Sequence, residues 1–497
     1  MKKLFYLIMA LIMSQHVMSQ RPFITVWNTV SPAGYCCSTS ITILTTGSGY
    51  NYDVDWNNDG VYDQFGLTGN VTHDYGTAGT YTVAIRGAFP RIYFNGYPDA
   101  TPFKILDIIQ WGDQVWSSME SAFLGCRNLN ITATDIPNLT NVTSMLGMFY
   151  GCRNLNGPAN IGSWNVSTVN DMASMFNTAY AFNQNISSWN VSKVTQMNFM
   201  FFDTKSFNQN INSWDVSAVL NMRSMFQYAT AFNQNIGSWN VSKVTLMLNM
   251  FNSASAFNQI LGAWGTKFNA NVDLSNFLDN CGMSITNYDA TLTGFRAGTI
   301  TGRSLGAGGR TYCAAVADRA NLVLPTASGG KGWTISGDAN GCTTTSLSSN
   351  LNPSLAGQNV TFTAAVSPNT TTGTVTFKDG STTLGTGTLG GGVTTFTTTG
   401  LSVATHSITA VYGGSISKSA STSIALSQVV NPIISIANGL WNDNTTWNVN
   451  RIPVIGDIMV IDTPHTITLS GTGNAKNLTI RGKLILNTVS SILRLGF

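Results

Sequence analysis

Apolar residues recur along the chain at a fixed interval. Trp164, Trp189, Trp214, Trp239 and Trp264 stand 25 residues apart, and Phe182, Phe207, Phe232 and Phe257 keep the same spacing inside the phrase Phe-Asn-Gln. A period in this range predicts a repeat stack in which each unit buries its apolar side against the next. Within one unit, Val194, Met197, Met200 and Phe201 fall on one side at helical spacing, which predicts a short helix. Asn185 to Trp189 is too short for a helix and predicts a brief strand. Less regular copies begin near Met119 and fade at Phe277. Asn183, Asn208, Asn233 and Asn258 are expected to satisfy buried loop backbone through amide ladders, because each side chain offers both a donor and an acceptor. The Met and Trp stripes are expected to be core.

Strict alternation replaces this pattern elsewhere. Residues 20–102 and 343–430 alternate apolar and polar positions between Gly-, Asn- and Thr-rich turns, as in Val360 to Val366, and predict antiparallel sandwiches. Residues 286–342 follow the repeats and are expected to cap them. After Asn431-Pro432, a segment with Trp441, Trp447 and apolar alternation up to Leu495 ends at Phe497. An open apolar edge there implies a truncated frame, or a tail that continues.

The repeat resembles the BspA-like leucine-rich-repeat surface proteins of bacteria, in the branch carrying Trp-x-Val-Ser-x-Val-x-x-Met-x-x-Met-Phe, over roughly residues 115–280. That resemblance implies a leucine-rich-repeat-like solenoid over 103–285 and a cell-surface binding or adhesion role. Thr72 to Ile85 resembles the closing strands of PKD-type sandwiches. Thr405 to Tyr412 resembles bacterial Ig-like repeats used as spacers, and residues 431–497 look like the opening of a right-handed parallel β-helix. The fold class expected is therefore multidomain and mainly β, with an α/β repeat solenoid: N-terminal β-sandwich, leucine-rich-repeat-like solenoid with its cap, Ig-like β-sandwich, and the start of a parallel β-helix.

Composition narrows the function. Only 9% of residues are charged and the net charge is +3 on 497 residues, a field too weak to hold a phosphate backbone, so nucleic acid is not an expected partner. Glu120 is the only glutamate, and four histidines are scattered through the chain, which removes most ways of building a general acid/base pair or a His-rich metal centre. Lys2, Lys3, the apolar run Leu4–Met13 and the small-residue ending at Ser19 predict a signal peptide over 1–19 and an exported chain. The apolar run is too short to span a bilayer and no later stretch qualifies, so no transmembrane helix is expected in the mature chain.

Export makes disulfides available to the seven cysteines. Cys126 and Cys152 lie in matching Gly-Cys-Arg-Asn-Leu-Asn phrases one repeat apart and are expected to pair. Cys313 and Cys342 bracket the cap and are expected to staple it. Cys36, Cys37 and Cys281 leave an odd thiol. Asp55, Asn57, Asp59 and Asp63 place oxygen side chains around Gly60, with the Val61 carbonyl between them, a spacing that suits Ca2+, although Gly66 stands where a bidentate acid closes the longer calcium loop. Ser187, Asn212 and Gly237 vary between fixed Ile and Trp positions and are candidates for a ligand surface on the strand face. Three functions compete: a noncatalytic binder of an extracellular protein or glycan, a structural stalk, and a truncated polysaccharide-active enzyme that would draw on Asp443, Asp457 and Asp462.

Overall fold

A computed structural model describes residues 20–30, 39–94, 101–488 and 490–495. The expected signal peptide and Cys36 and Cys37 lie outside the described residues. The chain divides into two compact units, 1–340 and 341–497.

In the first unit, alternation makes the N-terminal sheets. Phe23–Asn28 buries every second side chain and sits inside a six-stranded sheet between Thr80–Ala88 and Ile105–Gln110. Ser40–Ile43 and Val71–Asp74 form a second, two-stranded sheet. The expected boundary at residue 102 is not a break. Ile105–Gln110 pairs antiparallel with Phe23–Asn28 on one side and parallel with Asn130–Ile131 on the other, so the N-terminal sheet runs directly into the repeats. One hydrophobic core is continuous from Phe23 to Trp333.

The repeats stack as coils in register. Parallel bridges join Ser144 to Asp171, then Gln196, Asn221, Leu246 and Asp273, and equivalent side chains form columns. Phe123, Phe149, Phe176, Phe201, Phe226 and Phe251 follow one another at ring-centroid spacings of 5.6–5.8 Å. Phe182, Phe207, Phe232 and Phe257 form a second column. Each coil supplies one wall of its neighbour's interior, so the apolar area is buried only in the stack.

The expected helix is absent. Over 197–204 the amides alternate between two kinds of partner: Met197, Phe199, Phe201 and Asp203 donate to carbonyls of the next coil, whereas Met200, Phe202 and Thr204 donate three residues back. A helix directs all its amides along its own axis and could not bond its neighbour. Residues in left-handed conformation, Phe199 at φ 58° and Asp203 at φ 51°, turn the chain so that both kinds alternate. The strand expected at Asn185–Trp189 is likewise a turn, closed by Trp189 N–H on the Ile186 carbonyl; the parallel bridge falls at Gln196 instead. The α/β unit is thus corrected to a coil of turns with a single ladder position.

The array ends on the helices Ile285–Ala297 and Val316–Val323. The first is capped by the Ser284 side chain, which accepts from Asn287 N–H. Asp338 fastens this end: its buried carboxylate accepts from Arg319 at 2.6 and 2.7 Å and from the Tyr288 hydroxyl at 3.0 Å.

In the second unit, Thr344–Ser349, Val360–Ser367 and Val393–Thr398 form one sheet of a sandwich. Thr405–Tyr412 lies within the other, between Leu426–Asn431 and Thr374–Asp379. Phe362, Phe377, Ile408 and Tyr412 fill the space between the sheets. The final segment forms short parallel sheets, such as Ile433–Ile434, Ile458–Ile461 and Asn477–Ile480, over a core containing Trp441 and Trp447. Among the described residues no helix is long and apolar enough to cross a membrane.

Candidate functional site

The coil stack fixes what each repeat side chain can do. The expected amide ladder forms: Oδ1 of Asn183, Asn208 and Asn233 accepts the backbone N–H of Asn208, Asn233 and Asn258 at 2.8–3.0 Å. Gln209, Gln234 and Gln259 bond back to the same Asn residues. These amides run along the outside of the stack as coil-to-coil ties. Inside it, indole N–H groups of Trp189, Trp214, Trp239 and Trp264 donate to the carbonyls of Ile161, Ile186, Ile211 and Ile236 in the preceding coil. Each Trp therefore fills the core and ties its coil to the preceding one.

Ser187, Asn212 and Gly237 do stack at equivalent positions, but in turns, because the expected strand is not there. Their polar atoms face the next coil: the Ser213 hydroxyl donates to the Ser187 carbonyl and the Ser238 hydroxyl to Asn212 Oδ1. At Gly237 a Cβ would stand 2.8 Å from the Ile260 carbonyl oxygen. Coil packing accounts for the glycine.

The expected Cys126–Cys152 bond is not formed; both are free, buried thiols, as is Cys281. A disulfide needs side chains that converge in a narrow geometry, which stacking one coil on the next does not by itself provide. The Cys152 thiol instead donates to the Phe123 carbonyl at 3.1 Å. Burial raises the pKa of both thiols. Cys313 and Cys342 are each disulfide-bonded.

In the N-terminal module, the carboxylate of Asp55 accepts from the amides of Asn57, Asp59 and Gly60, and Asp63 accepts from Trp56 N–H. Asp59 accepts from Val61 N–H at 2.8 Å. The loop thus curls around Asp55, with Asn58 and Gly60 left-handed. Nearby, Asp53 accepts from Arg86 at 3.0 Å and Asp74 from Gly76 N–H at 2.9 Å. No cation pairs with Asp55, Asp59 or Asp63 among the described residues. No group of three His, Cys, Asp or Glu side chains gathers there as a metal-binding set.

In the last segment the acids are spread among structural roles. Asp443 caps a turn by accepting from Thr445, Asp457 takes a bidentate bond from Arg451 at 2.7 Å, and Asp462 lies 3.8 Å from Arg481.

The sequence reading missed a cluster on the outward side of the turn ladder. Phe199, Phe202 and Tyr228 meet there with ring centroids 5.6–5.7 Å apart. Arg223 lies over Phe199, and Arg153 and Lys205 lie over Tyr180. The available signal was an aromatic at repeat positions that other coils give to Gly, Ser, Thr, Asp or Asn.

Compared with known proteins, residues 117–219 and 188–283 match the family described as Mycoplasma protein of unknown function, DUF285. Residues 344–431 match the bacterial Ig-like domain, group 3. No curated protein and no solved structure matches the chain.

Proposed function

We propose that this chain is a noncatalytic surface protein whose repeat stack, leucine-rich-repeat-like in the BspA manner, binds an extracellular protein or glycan. In this reading the Ig-like module serves as a spacer in a chain that also carries a PKD-like N-terminal module and a β-helix-like tail. The observation that carries the reading is the division of labour in each coil. Columns of Trp, Met and Phe are committed to the core, while some outward positions, such as Ser187, Asn212 and Gly237 or Ser174, Phe199 and Ser224, differ from coil to coil on a fixed frame. The two family matches, a repeat family and an Ig-like domain, fit a chain built for display. Probing glycan and extracellular-protein arrays with the intact secreted chain tests it. Saturable binding to one class is the expected result, and no binding would leave the stalk reading in its place.

A second reading concerns calcium in the N-terminal module. We infer from the sequence spacing that Asp55, Asn57, Asp59, the Val61 carbonyl and Asp63 would supply oxygens to a hard divalent ion. The lack of a cationic partner for the three acids among the described residues supports this, and the loop would have to draw them together, since they do not gather as a set without the ion. Calcium titration of the intact chain should raise the Tm of the first unit, and Asp59→Ala should abolish the rise. An unchanged Tm would leave an ordinary acidic turn.

A further inference from the structure

The outward cluster on the turn ladder is built at a conformational cost that the fold does not require. Each coil turns through two left-handed residues. The first position holds Ser121, Gly147, Ser174, Ser224, Asn249 and Asn276 in the other coils, and the second holds Gly125, Gly151, Thr178, Asp203, Ser253 and Asn280, all at positive φ. Small and Asx residues tolerate this region, whereas bulky ones rarely enter it. Phe199 at φ 58° and Tyr228 at φ 60° break the pattern. Neither ring is in the core: Phe199 is half-buried and Tyr228 is 42% exposed. Apart from the β-branched Thr178, these two rings are the residues least suited to this backbone.

The surroundings indicate what they serve. Phe202 bridges the two rings, so three exposed or half-buried aromatics lie along adjacent coils. Exposed Arg223 lies over the Phe199 ring, and exposed Arg153 and Lys205 lie over Tyr180 on the same run of coils. Among the described residues, the one acid paired with these cations is Asp203, at 3.9 Å from Lys205; Arg153 and Arg223 have no carboxylate partner. An aromatic face attracts the C–H face of a pyranose ring, because the π cloud is negative and those hydrogens are positive. A guanidinium beside it matches a carboxylate with two parallel N–H bonds. Three cations on this face of the coils are too sparse for a phosphate at every residue. The geometry points to an acidic polysaccharide, a uronic-acid-containing glycan, that meets the exposed Tyr228 ring beside the edge-packed Phe202 and Phe199 and places its carboxylates at Arg223 and Lys205. This inference rests on the proposed binding function and names its ligand class and surface.

The test uses the intact chain with immobilised polygalacturonate, neutral dextran, polyglutamate and single-stranded oligothymidylate as probes. Polygalacturonate should bind saturably and the other three more weakly. Phe199→Asn with Tyr228→Asn, which installs residues other coils already carry, should weaken polygalacturonate binding at least about tenfold with an unchanged or raised Tm. Arg223→Gln with Lys205→Gln should weaken it similarly and flatten its dependence on salt. Variants that bind like the wild type, or tighter binding of polyglutamate or oligothymidylate, would overturn the inference. Binding of the intact chain to some other glycan or protein, but not to polygalacturonate, would sink the inference and leave the binding function standing. No binding to any probe or array would sink both.

Discussion

The indole-to-carbonyl bonds between coils can be weighed by one substitution made at two places. Trp214 and Trp164 are both 3% exposed and both pack on core aromatics. They differ at Nε1. Trp214 donates to the Ile186 carbonyl at 3.1 Å, whereas Nε1 of Trp164 is buried without a partner. Replacement by Phe removes similar ring area at each site, so that part of the cost is shared. At Trp214 the change also removes a buried hydrogen bond, with a net loss of about 1 kcal/mol. At Trp164 it removes a desolvated donor, which returns about 1–3 kcal/mol. Trp214→Phe should therefore be the more destabilising by about 2–4 kcal/mol. With a urea m value of about 3 kcal/mol/M, this is a midpoint difference on the order of 1 M. Urea unfolding of the intact chain followed by far-UV circular dichroism reads it. Trp189→Phe controls for place in the stack, since Trp189 sits one coil beyond Trp164 and donates to Ile161 at 2.9 Å; it should behave like Trp214→Phe. A Trp164→Phe variant as unstable as the other two would refute the assignment of the tie to Nε1.

Other parts of the chain make sharper-edged predictions. In the Ig-like module, His406 meets the Ser402 carbonyl at 2.8 Å and Asp379 at 2.6 Å, both acceptors. Burial opposes its charge, but the bonds to Ser402 and Asp379 outweigh this and raise its pKa above the usual 6.5. Its contribution to stability is thus full below about 6.5 and is lost as pH rises through the folded pKa. The Tm of this unit should fall over that window, and His406→Gln should remove the fall. In the cap, Asp338→Asn leaves Arg319 without its ion pair and should cost about 3 kcal/mol, the lower end for a buried pair because the arginine is 22% exposed; urea unfolding checks it. Maleimide should label Cys126, Cys152 and Cys281 only after denaturation, since burial keeps the thiols protonated. A nonreducing peptide map should recover Cys313 joined to Cys342.

The repeat could be read because a stacked interior demands the same side chain at the same depth in each coil, which writes Trp and Phe at 25-residue intervals. The helix was misread for a related reason. Burial of Met197, Met200 and Phe201 at helical spacing reports which way side chains point, not where amides donate, and a run of turns gives the same pattern as a helix. Ser174, Ser224 and Asn249 marked the left-handed bends and were passed over. The sharing of Ile105–Gln110 between the N-terminal sheet and the stack was not legible, because both pairings span many residues and its apolar run fits either. Cys126 and Cys152 showed that proximity in a repeat does not imply convergence of side chains.

The same logic separates structure from display within one coil. A core column is constrained from two sides: each ring in the Phe176–Phe251 series contacts the coil before it and the coil after it. A change there propagates and is held in check by packing. At an outward left-handed position the backbone is the chief constraint, and it favours Gly, Ser or Asn. A core residue that fits its column therefore says little about function, because packing already explains it. An exposed aromatic at a left-handed position is opposed by the backbone and unsupported by the core. Phe199 and Tyr228 meet that description on neighbouring coils, and Phe202 joins them into one surface.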